Sequence, residues 1–436
     1  MASTKLQRTP SSNGSTTINT WSFWVKRTEL NDYETLYSSE ISSTNVFKIG
    51  FTQNNLEILY YVGGYVFQIK TNRLFRDTSG FYNIVVTQNA GASTNTDRLK
   101  IYINGVQETS FSITNFPDLN EGAAVISASG VLQNIGTTGT EYFGGSMSHI
   151  HFIDGTAYDA SAFGETDATT GEWKIKTSPS VTYGTNGFFI LKDGNSVTDQ
   201  SGQGNDWTVG GTLTKTEDNP SNVFATMNSL IPAPNRTLNN GNTYISGSSG
   251  NDYSYSNTAT LGAASGKYYW EMQYEAAAST VNPAVGIVEY GKYEFNQNIT
   301  SGTGGYVTFR FDGARQINNV QITSYWTAPT SGQIVNFALD MDNLKFWIGV
   351  NGAWYGTTGN TNGDPANGTN PSATLTVGDW TPAIRFLDGA YEFNFGNGYF
   401  GTTAVSSAGT NASGNGIFEF DCPTGYTALS TKGLNL

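Results

Sequence analysis

The sequence predicts an all-β chain built from two antiparallel β-sandwiches in tandem. Short runs of alternating apolar and polar residues recur along the chain, and alternation with period two is typical of strands that bury one face. Asn-Gly pairs at residues 104–105 and 351–352 follow two such runs and supply the positive φ angles that tight hairpin turns require. The composition is rich in Gly, Asn, Ser and Thr, which favours turns over helices.

The first half of the chain carries strand-like runs in quick succession. Residues 1–20 are polar and predict either a tail or a peripheral strand. Alternating or apolar runs follow at 21–26, 47–51, 56–62, 65–70, 81–87, 98–103 and 145–154. The 81–87 run is almost wholly apolar, as expected of a central strand. The spacing of these runs, with turn residues between them, predicts one sandwich over residues 21–190.

The middle of the chain interrupts this rhythm. Residues 160–163 are the only short helix candidate, and the stretch 191–240 is rich in Gly, Asp and Pro, which is typical of a linker. Strand-like runs return at 267–274, 285–288, 306–311, 336–350, 380–386 and 391–395. We therefore predict a linker over residues 191–240 and a second sandwich over residues 241–436.

Length, charge and cysteine content exclude several classes of protein. A chain of 436 residues predicts two or three domains. The net charge is −13 and no Lys/Arg run exists, which argues against binding to nucleic acid. No run approaches the roughly 20 apolar residues of a membrane-spanning helix. Cys422 is the only cysteine and no apolar segment follows Met1, so we expect folding in a reducing cytoplasm without a signal peptide.

Several runs of the first half resemble laminin-G/concanavalin-like sandwiches. They are the strand beginning at Trp21, the central strand 81–87, the hairpin that ends in Asn104-Gly105, and the closing strand 145–152. The second half is similar to SPRY domains in its strand 266–272, its strand 285–288, its long hairpin 339–352 and its last strands 380–386 and 393–396. The resemblance implies a jelly-roll sandwich followed by a SPRY-like sandwich.

The join between the halves resembles virion proteins of tailed phages, particularly marine ones. The resemblance rests on an ordered series of short motifs at 154–155, 163–165, 183–189, 199–207 and 218–228. It implies a virion protein made in the host cytoplasm, with other virion proteins and further copies of itself as partners. It also implies a host surface glycan as a partner of an exposed particle protein.

Three acidic or histidine pairs are candidate chemical sites. Concanavalin-type glycosidases need two carboxylates on one strand face, and the nearest approaches are Glu419 with Asp421, and Asp340 with Asp342. Pro423 ends the first run, and the second lies at a hairpin turn, where capping of backbone N–H groups is the alternative. His149 and His151 are the only histidines and offer either two zinc ligands or two ordinary residues on the solvent side of a strand. We expect no enzymatic activity.

A Gly-rich loop carrying Asp193, Asp199 and Asp206 is the candidate calcium site, because Ca²⁺ prefers oxygen ligands. The alternative is that these carboxylates form Asx-turns with their own backbone and bind no cofactor. We expect any calcium to raise the stability of the fold by mass action.

Aromatic residues near polar loops are the candidate ligand-binding residues. Trp21, Trp24, Trp270 and Trp347 lie in strand-like runs and are expected in the cores. Trp207, Trp326, Trp354 and its neighbour Tyr355 lie near Gly/Thr/Asn-rich loops. There they would either stack on sugar rings or plug the ends of the sandwiches.

Three functions remain open from the sequence. The favoured one is a non-enzymatic phage virion protein, a fibre or tail-associated adhesin, that binds host glycans or neighbouring virion proteins through sandwich loops. The alternative is a purely structural capsid decoration, knob or tail component. The third, less favoured, is a polysaccharide-degrading enzyme.

Overall fold

The computed structural model describes residues 4–192, 196–231, 236–247, 256–276, 283–292, 304–385 and 389–435. None of these residues lies in an α-helix; the helical turns are the 3₁₀ segments Asn95–Asp97, Ala160–Ala162 and Gly433–Asn435. Backbone contacts divide the chain into two compact units. The first unit is Met1–Lys215 with Asn219–Ser221, and the second is Thr216–Asp218 with Asn222–Leu436. The all-β, two-core expectation is confirmed.

The described residues of the first unit form sixteen strands, numbered here in chain order. They are β1 (Lys5–Arg8), β2 (Ile18–Arg27), β3 (Tyr33–Ser42), β4 (Asn45–Thr52), β5 (Asn55–Val62), β6 (Tyr65–Leu74), β7 (Tyr82–Asn89), β8 (Leu99–Ile103), β9 (Val106–Glu108), β10 (Phe111–Asn115), β11 (Leu132–Ile135), β12 (Gly145–Asp154), β13 (Gly164–Thr166), β14 (Trp173–Ile175), β15 (Phe188–Ile190) and β16 (Thr208–Gly210).

Two sheets of the first unit enclose its core. An eight-stranded sheet has the order β10-β6-β5-β4-β3-β11-β1-β16, and a six-stranded sheet has the order β15-β12-β2-β7-β8-β9. Trp21 of β2 stacks on Phe47 of β4 with ring centroids 5.1 Å apart, which joins the sheets through an aromatic contact. The central position of β7 agrees with its apolar sequence.

Residues 155–185 form a further layer on the outside of the six-stranded sheet. Phe163 and Tyr183 from this segment pack with Val85, Ile153 and Phe189 of the sheet in a small separate cluster. This layer therefore shields from solvent the side of the six-stranded sheet that faces away from the core.

The second unit contains seventeen strands among its described residues. They are β17 (Arg236–Asn239), β18 (Tyr244–Gly247), β19 (Ser256–Thr258), β20 (Lys267–Ala276), β21 (Ala284–Glu289), β22 (Tyr306–Arg310), β23 (Arg315–Ile317), β24 (Val320–Ile322), β25 (Ile334–Asp340), β26 (Lys345–Val350), β27 (Ala353–Trp354), β28 (Ala373–Thr374), β29 (Trp380–Arg385), β30 (Gly389–Asn394), β31 (Tyr399–Phe400), β32 (Thr403–Ala404) and β33 (Thr427–Ala428).

A nine-stranded and a six-stranded sheet form the second sandwich. The first has the path β17-β18-β30-β20-β25-β26-β27 with β28 beside β26 and β33 beside β20; the second has the order β19-β29-β21-β22-β23-β24. Trp270 stacks on Phe337 at 5.2 Å and Phe346 lies 6.1 Å from Trp270, so this core is also held by aromatic rings.

The boundaries predicted from composition are wrong in one place. Of the two alternatives for residues 1–20, the structure shows a strand and not a tail, because β1 pairs with β11 on one side and β16 on the other, and Leu6 lies in the core. Residues 191–240 are not a linker, because Trp207 belongs to the first core whereas Phe224 and Met227 belong to the second. Gly and Asp marked turns between short strands here, and composition alone does not distinguish such turns from a flexible connection.

The two Asn-Gly turns are built alike. Asn104 and Asn351 have φ angles of 48° and 47°, followed by glycines at 80° and 79°. Each asparagine also binds the neighbouring strand: the N–H of Asn83 donates to Asn104 Oδ1 (2.8 Å), and that of Ile334 donates to Asn351 Oδ1 (3.0 Å). The turn prediction is confirmed, and the side-chain bridge explains why asparagine stands at both positions.

Asn351→Val is expected to destabilise the second sandwich by about 1–3 kcal/mol, because a β-branched residue disfavours positive φ. Asn351→Gly is the matched control, since it keeps the backbone conformation and loses only the bridge to Ile334. Urea denaturation should rank wild type above Asn351→Gly and Asn351→Gly above Asn351→Val. Equal midpoints for wild type and Asn351→Val would contradict this account.

Candidate functional site

The side of the eight-stranded sheet that faces away from the core carries an ordered set of polar side chains, of which Lys48 and Glu57 are buried and Tyr33 is exposed. Strands β3 to β6 form a meander in which Phe47, Ile49 and Phe51 of β4 point into the core. The alternate residues therefore lie on the other side. Cross-strand pairing aligns Ser38, Lys48, Leu59 and Gln68 in one row, and Thr35, Gly50, Glu57 and Lys70 in the next. We call this side the outer face.

Five side chains of the outer face form what we call the Lys48 patch: Tyr33, Lys48, Glu57, Gln68 and Glu141. The Lys48 Nζ lies 3.0 Å from Glu141 Oε2 and 5.9 Å from the centre of the Tyr33 ring. Gln68 donates to Glu57 Oε1 at 2.6 Å. These contacts hold the three charged groups and the one amide group of the patch in place before any ligand binds, which lowers the ordering cost of binding.

Gly50 lies within the Lys48 patch and is buried against the backbone of the neighbouring strand. A Cβ atom at this position would lie 2.3 Å from the carbonyl oxygen of Glu34, so the sequence needs glycine here. Gly50 pairs with Thr35 on one side and Glu57 on the other. The missing side chain therefore allows the backbones of β3 and β4 to approach closely beside Lys48 and Glu57.

Tyrosine rings stand at the margins of this face. Tyr33 is 52% exposed and Tyr65 is 56% exposed. Tyr61 meets Tyr65 edge to face with ring centroids 5.3 Å apart. A tyrosine ring offers an apolar surface and a hydroxyl at once, so the outer face combines stacking surface with hydrogen-bonding groups.

A short hairpin at residues 137–142 lies on the outer face beside the Lys48 patch. It is closed by a bridge between Thr137 and Tyr142, and Ser38 Oγ donates to the Thr137 carbonyl oxygen at 2.8 Å. Glu141 leaves the hairpin toward Lys48, whereas Thr138 lines a groove of about 530 Å³ together with Glu40, Ile41, Ser42, Ser43 and residues 130–132.

A second groove of about 450 Å³ meets the first at Leu132. It is lined by Gln7, Arg8, Thr9, Ser11, Leu132, Gly204, Asn205, Asp206 and Thr208. Gln7 donates to Asn134 Oδ1 at 2.9 Å, and Leu132 is two residues from Asn134 on the same strand. Both grooves therefore belong to the outer face, and together we call them the Leu132 groove.

The charged residues of the Leu132 groove differ in how they are held. Burial raises the pKa of the Glu40 carboxyl, and among the residues that the structure describes none makes a hydrogen bond or ion pair with it. The Arg8 guanidinium already has partners within the protein, because it donates to the Asn186 carbonyl oxygen at 3.0 Å and to the side chain of Asn205. Asp206 accepts the N–H of Asp199 at 2.7 Å.

Two of the tryptophans predicted to bind ligand are buried. Trp207 is 3% exposed and packs edge to face against Phe188 at 4.9 Å. Trp326 is 5% exposed, and its indole N–H donates to the Arg310 carbonyl oxygen at 2.7 Å. The stacking interpretation is wrong for both and the plug alternative is right, because folding these loops inward removes a large apolar ring from water.

Within the second unit, Tyr355 packs edge to face against Trp326, with ring centroids 6.3 Å apart. Tyr355 is buried and its hydroxyl accepts the N–H of Thr327 at 3.2 Å, so its predicted exposure is wrong. Trp354 is half-buried against Tyr269, with ring centroids 6.1 Å apart. Of the four predicted residues, only Trp354 offers part of its ring to solvent.

The predicted calcium loop is held by its own backbone. Asp199 Oδ1 accepts the N–H groups of Phe189 and Ser201 at 2.9 Å each, and its Oδ2 accepts that of Asn205 at 2.8 Å. Asp193 lies outside the described residues. Within the described residues, no group of three His, Cys, Asp or Glu side chains is placed to hold a metal ion. The contacts match the Asx-turn alternative, and calcium-dependent stability stays a prediction.

The two histidines are buried, so their predicted solvent position is wrong. His151 stacks on Phe189 with ring centroids 3.9 Å apart and shares a hydrogen bond of 2.9 Å with the Tyr183 hydroxyl. A bulge between Ser148 and His151 breaks the regular alternation of β12, and His149 has a φ of 45°. Burial lowers the pKa of His151 well below its ordinary value. The covering layer of residues 155–185 is the cause, and period-two spacing gave no sign of it.

The carboxylate pairs considered for catalysis cap backbone groups. Asp421 accepts the N–H of Thr410 at 2.6 Å, and Glu419 accepts that of Ser406 at 2.6 Å. Asp340 is buried, accepts the N–H of Asn343 at 2.9 Å and pairs with Lys267 at 3.2 Å. Asp342 accepts the N–H of Gly266 at 2.7 Å, so all four carboxylates have structural partners.

The sequence analysis did not identify the outer face, because it looked for ligand-binding residues among tryptophans near polar loops and not among polar residues within strands. The available signal was the polar set of alternating positions in β4 to β6, where Lys48, Glu57, Gln68 and Lys70 stand between core residues. Each of these strands carries a charged residue on the outer face, and Gly50 lies beside them. This pattern is the signal that indicates a candidate binding face.

Comparison with known proteins places the first unit in a described fold. Residues 2–161 match the model of the concanavalin A-like lectin/glucanases superfamily, and this range includes every residue of the Lys48 patch. The laminin-G/concanavalin-like resemblance of the first half is therefore confirmed. No curated protein matches the chain.

Among solved structures, the chain is similar to the SPRY domain of human HERC1, with 17% identity over 36% of this chain and 91% of that one and a TM-score of 0.26. It is also similar to domain 4 of AbnA, an extracellular GH43 arabinanase of Geobacillus stearothermophilus in complex with arabinotriose (19% identity, 35% and 67% coverage, TM-score 0.28). A third is the heptameric SAP-like pentraxin of Limulus polyphemus (14% identity, 36% and 72% coverage, TM-score 0.27).

Within the described residues, no helix has the length and apolar character to cross a membrane.

Proposed function

We propose that this protein is a non-enzymatic carbohydrate-binding protein whose site is the outer face of the first sandwich. The observation that carries the proposal is the Lys48 patch, in which an ion pair, a carboxylate–amide pair and an exposed tyrosine lie side by side. Sugar hydroxyls both donate and accept hydrogen bonds, so fixed groups of both kinds beside an aromatic ring suit a sugar. The match of residues 2–161 to a lectin/glucanase superfamily supports the same class of ligand.

Binding rather than catalysis suits the electrostatics of the patch. A general acid in glycoside hydrolysis must hold a proton near neutral pH. Glu141 lies 3.0 Å from the Lys48 ammonium, so this carboxylate already has a structural partner. Its role in the proposal is to accept hydrogen bonds from a sugar rather than to protonate a leaving group.

The setting that we propose is the exterior of a tailed-phage particle, where the protein binds a host glycan. This part of the proposal is supported by the ordered motifs between residues 154 and 228 that resemble tailed-phage virion proteins. Many copies on one particle raise avidity by roughly 10²–10⁴ over a single weak site. The second candidate function is a structural particle component whose outer face binds a neighbouring virion protein.

Tyr33→Ala is expected to lower glycan binding at least about tenfold, because it removes the exposed ring and the partner of Lys48 while leaving the core intact. A glycan array probed with the purified protein gives the measurement. Tyr290→Ala is the matched control, since Tyr290 is 69% exposed and belongs to the second unit; it should bind like wild type.

Three outcomes would redirect the proposal. An array without any bound glycan, together with capture of the protein by phage particles, would favour the structural candidate. Release of reducing sugar from a bound polysaccharide would show an enzyme. Equal loss in Tyr33→Ala and Tyr290→Ala would place the site outside the outer face.

A further inference from the structure

The Leu132 groove has the length for a chain of sugars rather than a single one. Its lining comes from four adjacent strands, with Glu40 on β3, Leu132 on β11, Gln7 on β1 and Thr208 on β16. Neighbouring strands are about 4.8 Å apart, so three steps across the sheet give a run of about 14 Å.

The chemistry of the lining is suited to hydroxyl groups. Hydroxyls of Ser42, Ser43 and Thr138 line one end, and the side chains of Gln7, Thr9, Ser11 and Thr208 line the other. Leu132 stands between them and offers an apolar contact at the middle of the run. A few polar groups that fix orientation beside an apolar surface are the usual composition of a ligand groove.

Charge at the ends restricts the ligand further. The Glu40 carboxylate stands at one end without a described partner, and Asp206 stands at the other. The one guanidinium of the groove, Arg8, is engaged by Asn186 and Asn205. A glycan with carboxylates or sulfates would bring like charge against Glu40, and such repulsion is a common means of rejecting wrong ligands.

We infer that the Leu132 groove binds an extended, uncharged glycan chain, with Leu132 as its central contact and Glu40 as the residue that excludes acidic chains. The inference rests on the proposed function and adds to it a ligand length and a ligand charge. It concerns residues separate from the Lys48 patch, so the two can be tested apart.

The test uses calorimetric titration of the full chain with neutral hexose oligosaccharides, from disaccharide to hexasaccharide, and with the same chains oxidised to carboxylates at their primary alcohols. Wild-type affinity should rise about tenfold or more with length and should be lower for the oxidised chains. Leu132→Lys should lower hexasaccharide affinity about tenfold and change disaccharide affinity less than about twofold. Glu40→Gln should raise the affinity for oxidised chains about tenfold.

Matched variants separate these effects from general damage. Leu119→Lys replaces an exposed leucine of the same unit outside the groove, and Glu172→Gln removes an exposed carboxylate elsewhere; both should behave like wild type. Thermal melting checks that every variant is folded. Affinity that is flat with chain length, or unchanged in Leu132→Lys, would overturn the groove inference and leave the proposed function standing. Absence of binding by every oligosaccharide would instead contradict the proposed function.

Discussion

Arg27→Ala is expected to destabilise the first sandwich by about 3–5 kcal/mol, because it leaves a buried carboxylate without its cation. Arg27 and Glu34 are both fully buried, and the Arg27 Nε lies 2.7 Å from Glu34 Oε2. The guanidinium also donates to the Phe75 carbonyl oxygen at 2.6 Å and lies over the Phe51 ring at 4.4 Å. Urea denaturation followed by fluorescence gives the measurement.

The double variant Arg27→Met with Glu34→Leu is the control for the Arg27 prediction. Replacing both charges by apolar groups of similar volume is often neutral or stabilising, so the double variant should recover most of the lost stability. Because the two units have separate cores, Arg27→Ala should move only one of two unfolding transitions. A loss below about 1 kcal/mol, or an equal loss in the double variant, would contradict the account of this pair.

Glu271→Ala is expected to destabilise the second sandwich by at least about 3 kcal/mol, because four buried donors lose their acceptor. The Glu271 carboxylate accepts the N–H groups of Glu419 (2.9 Å) and Phe420 (2.8 Å). It also accepts the Tyr269 hydroxyl at 2.7 Å and the Asn394 amide at 3.2 Å. This carboxylate therefore attaches the segment around residues 419–420 to the nine-stranded sheet.

The same residue gives the second unit a pH dependence. Burial raises the pKa of Glu271 to about 7, against the lowering effect of its four donors. A raised pKa means that the folded state holds the proton more tightly than the unfolded chain. The contribution of this proton to the free energy of unfolding is therefore full below about pH 4.3 and is lost as pH rises through 7. We expect the second transition to be more stable at pH 5 than at pH 8.

Glu271→Gln isolates this effect, because it keeps an oxygen acceptor and cannot ionise. The difference in unfolding free energy between pH 5 and pH 8 should be smaller in Glu271→Gln than in wild type. Burial also raises the pKa of Glu392 to about 7. Because Glu392 is present in both proteins, its contribution to the pH dependence is the same in each and cancels in the comparison. An identical pH profile for the two proteins would show that Glu271 does not titrate in this range.

The sequence was informative where local chemistry decides structure. Asn104 and Asn351 marked their hairpins because positive φ selects few residues, and the alternation around Phe47 and Ile58 marked buried strand faces. The sequence was misleading where the structure depends on pairing between strands that are far apart in the chain. The strand Thr208–Gly210 pairs with Lys5–Arg8 about two hundred residues away, and nothing local to the Gly/Asp-rich stretch indicates that partner.

The candidate site was missed for a related reason. Trp207 and Trp326 were judged by their polar neighbours in sequence, whereas their burial depends on which loop folds over which end of a sandwich. The Lys48 patch joins Tyr33, Lys48, Glu57, Gln68 and Glu141 from four strands and a hairpin, and only the register of the sheet brings them together. The alternation of charged and apolar residues marked the face, but the sequence did not show that the charges pair with one another.

The most direct test of carbohydrate binding by the outer face is a calorimetric titration of wild type, Tyr33→Ala and Tyr290→Ala with one neutral oligosaccharide selected from the array. The account predicts a saturable heat for wild type and Tyr290→Ala, and an affinity at least about tenfold lower for Tyr33→Ala at unchanged melting temperature. Equal affinity of wild type and Tyr33→Ala would contradict it.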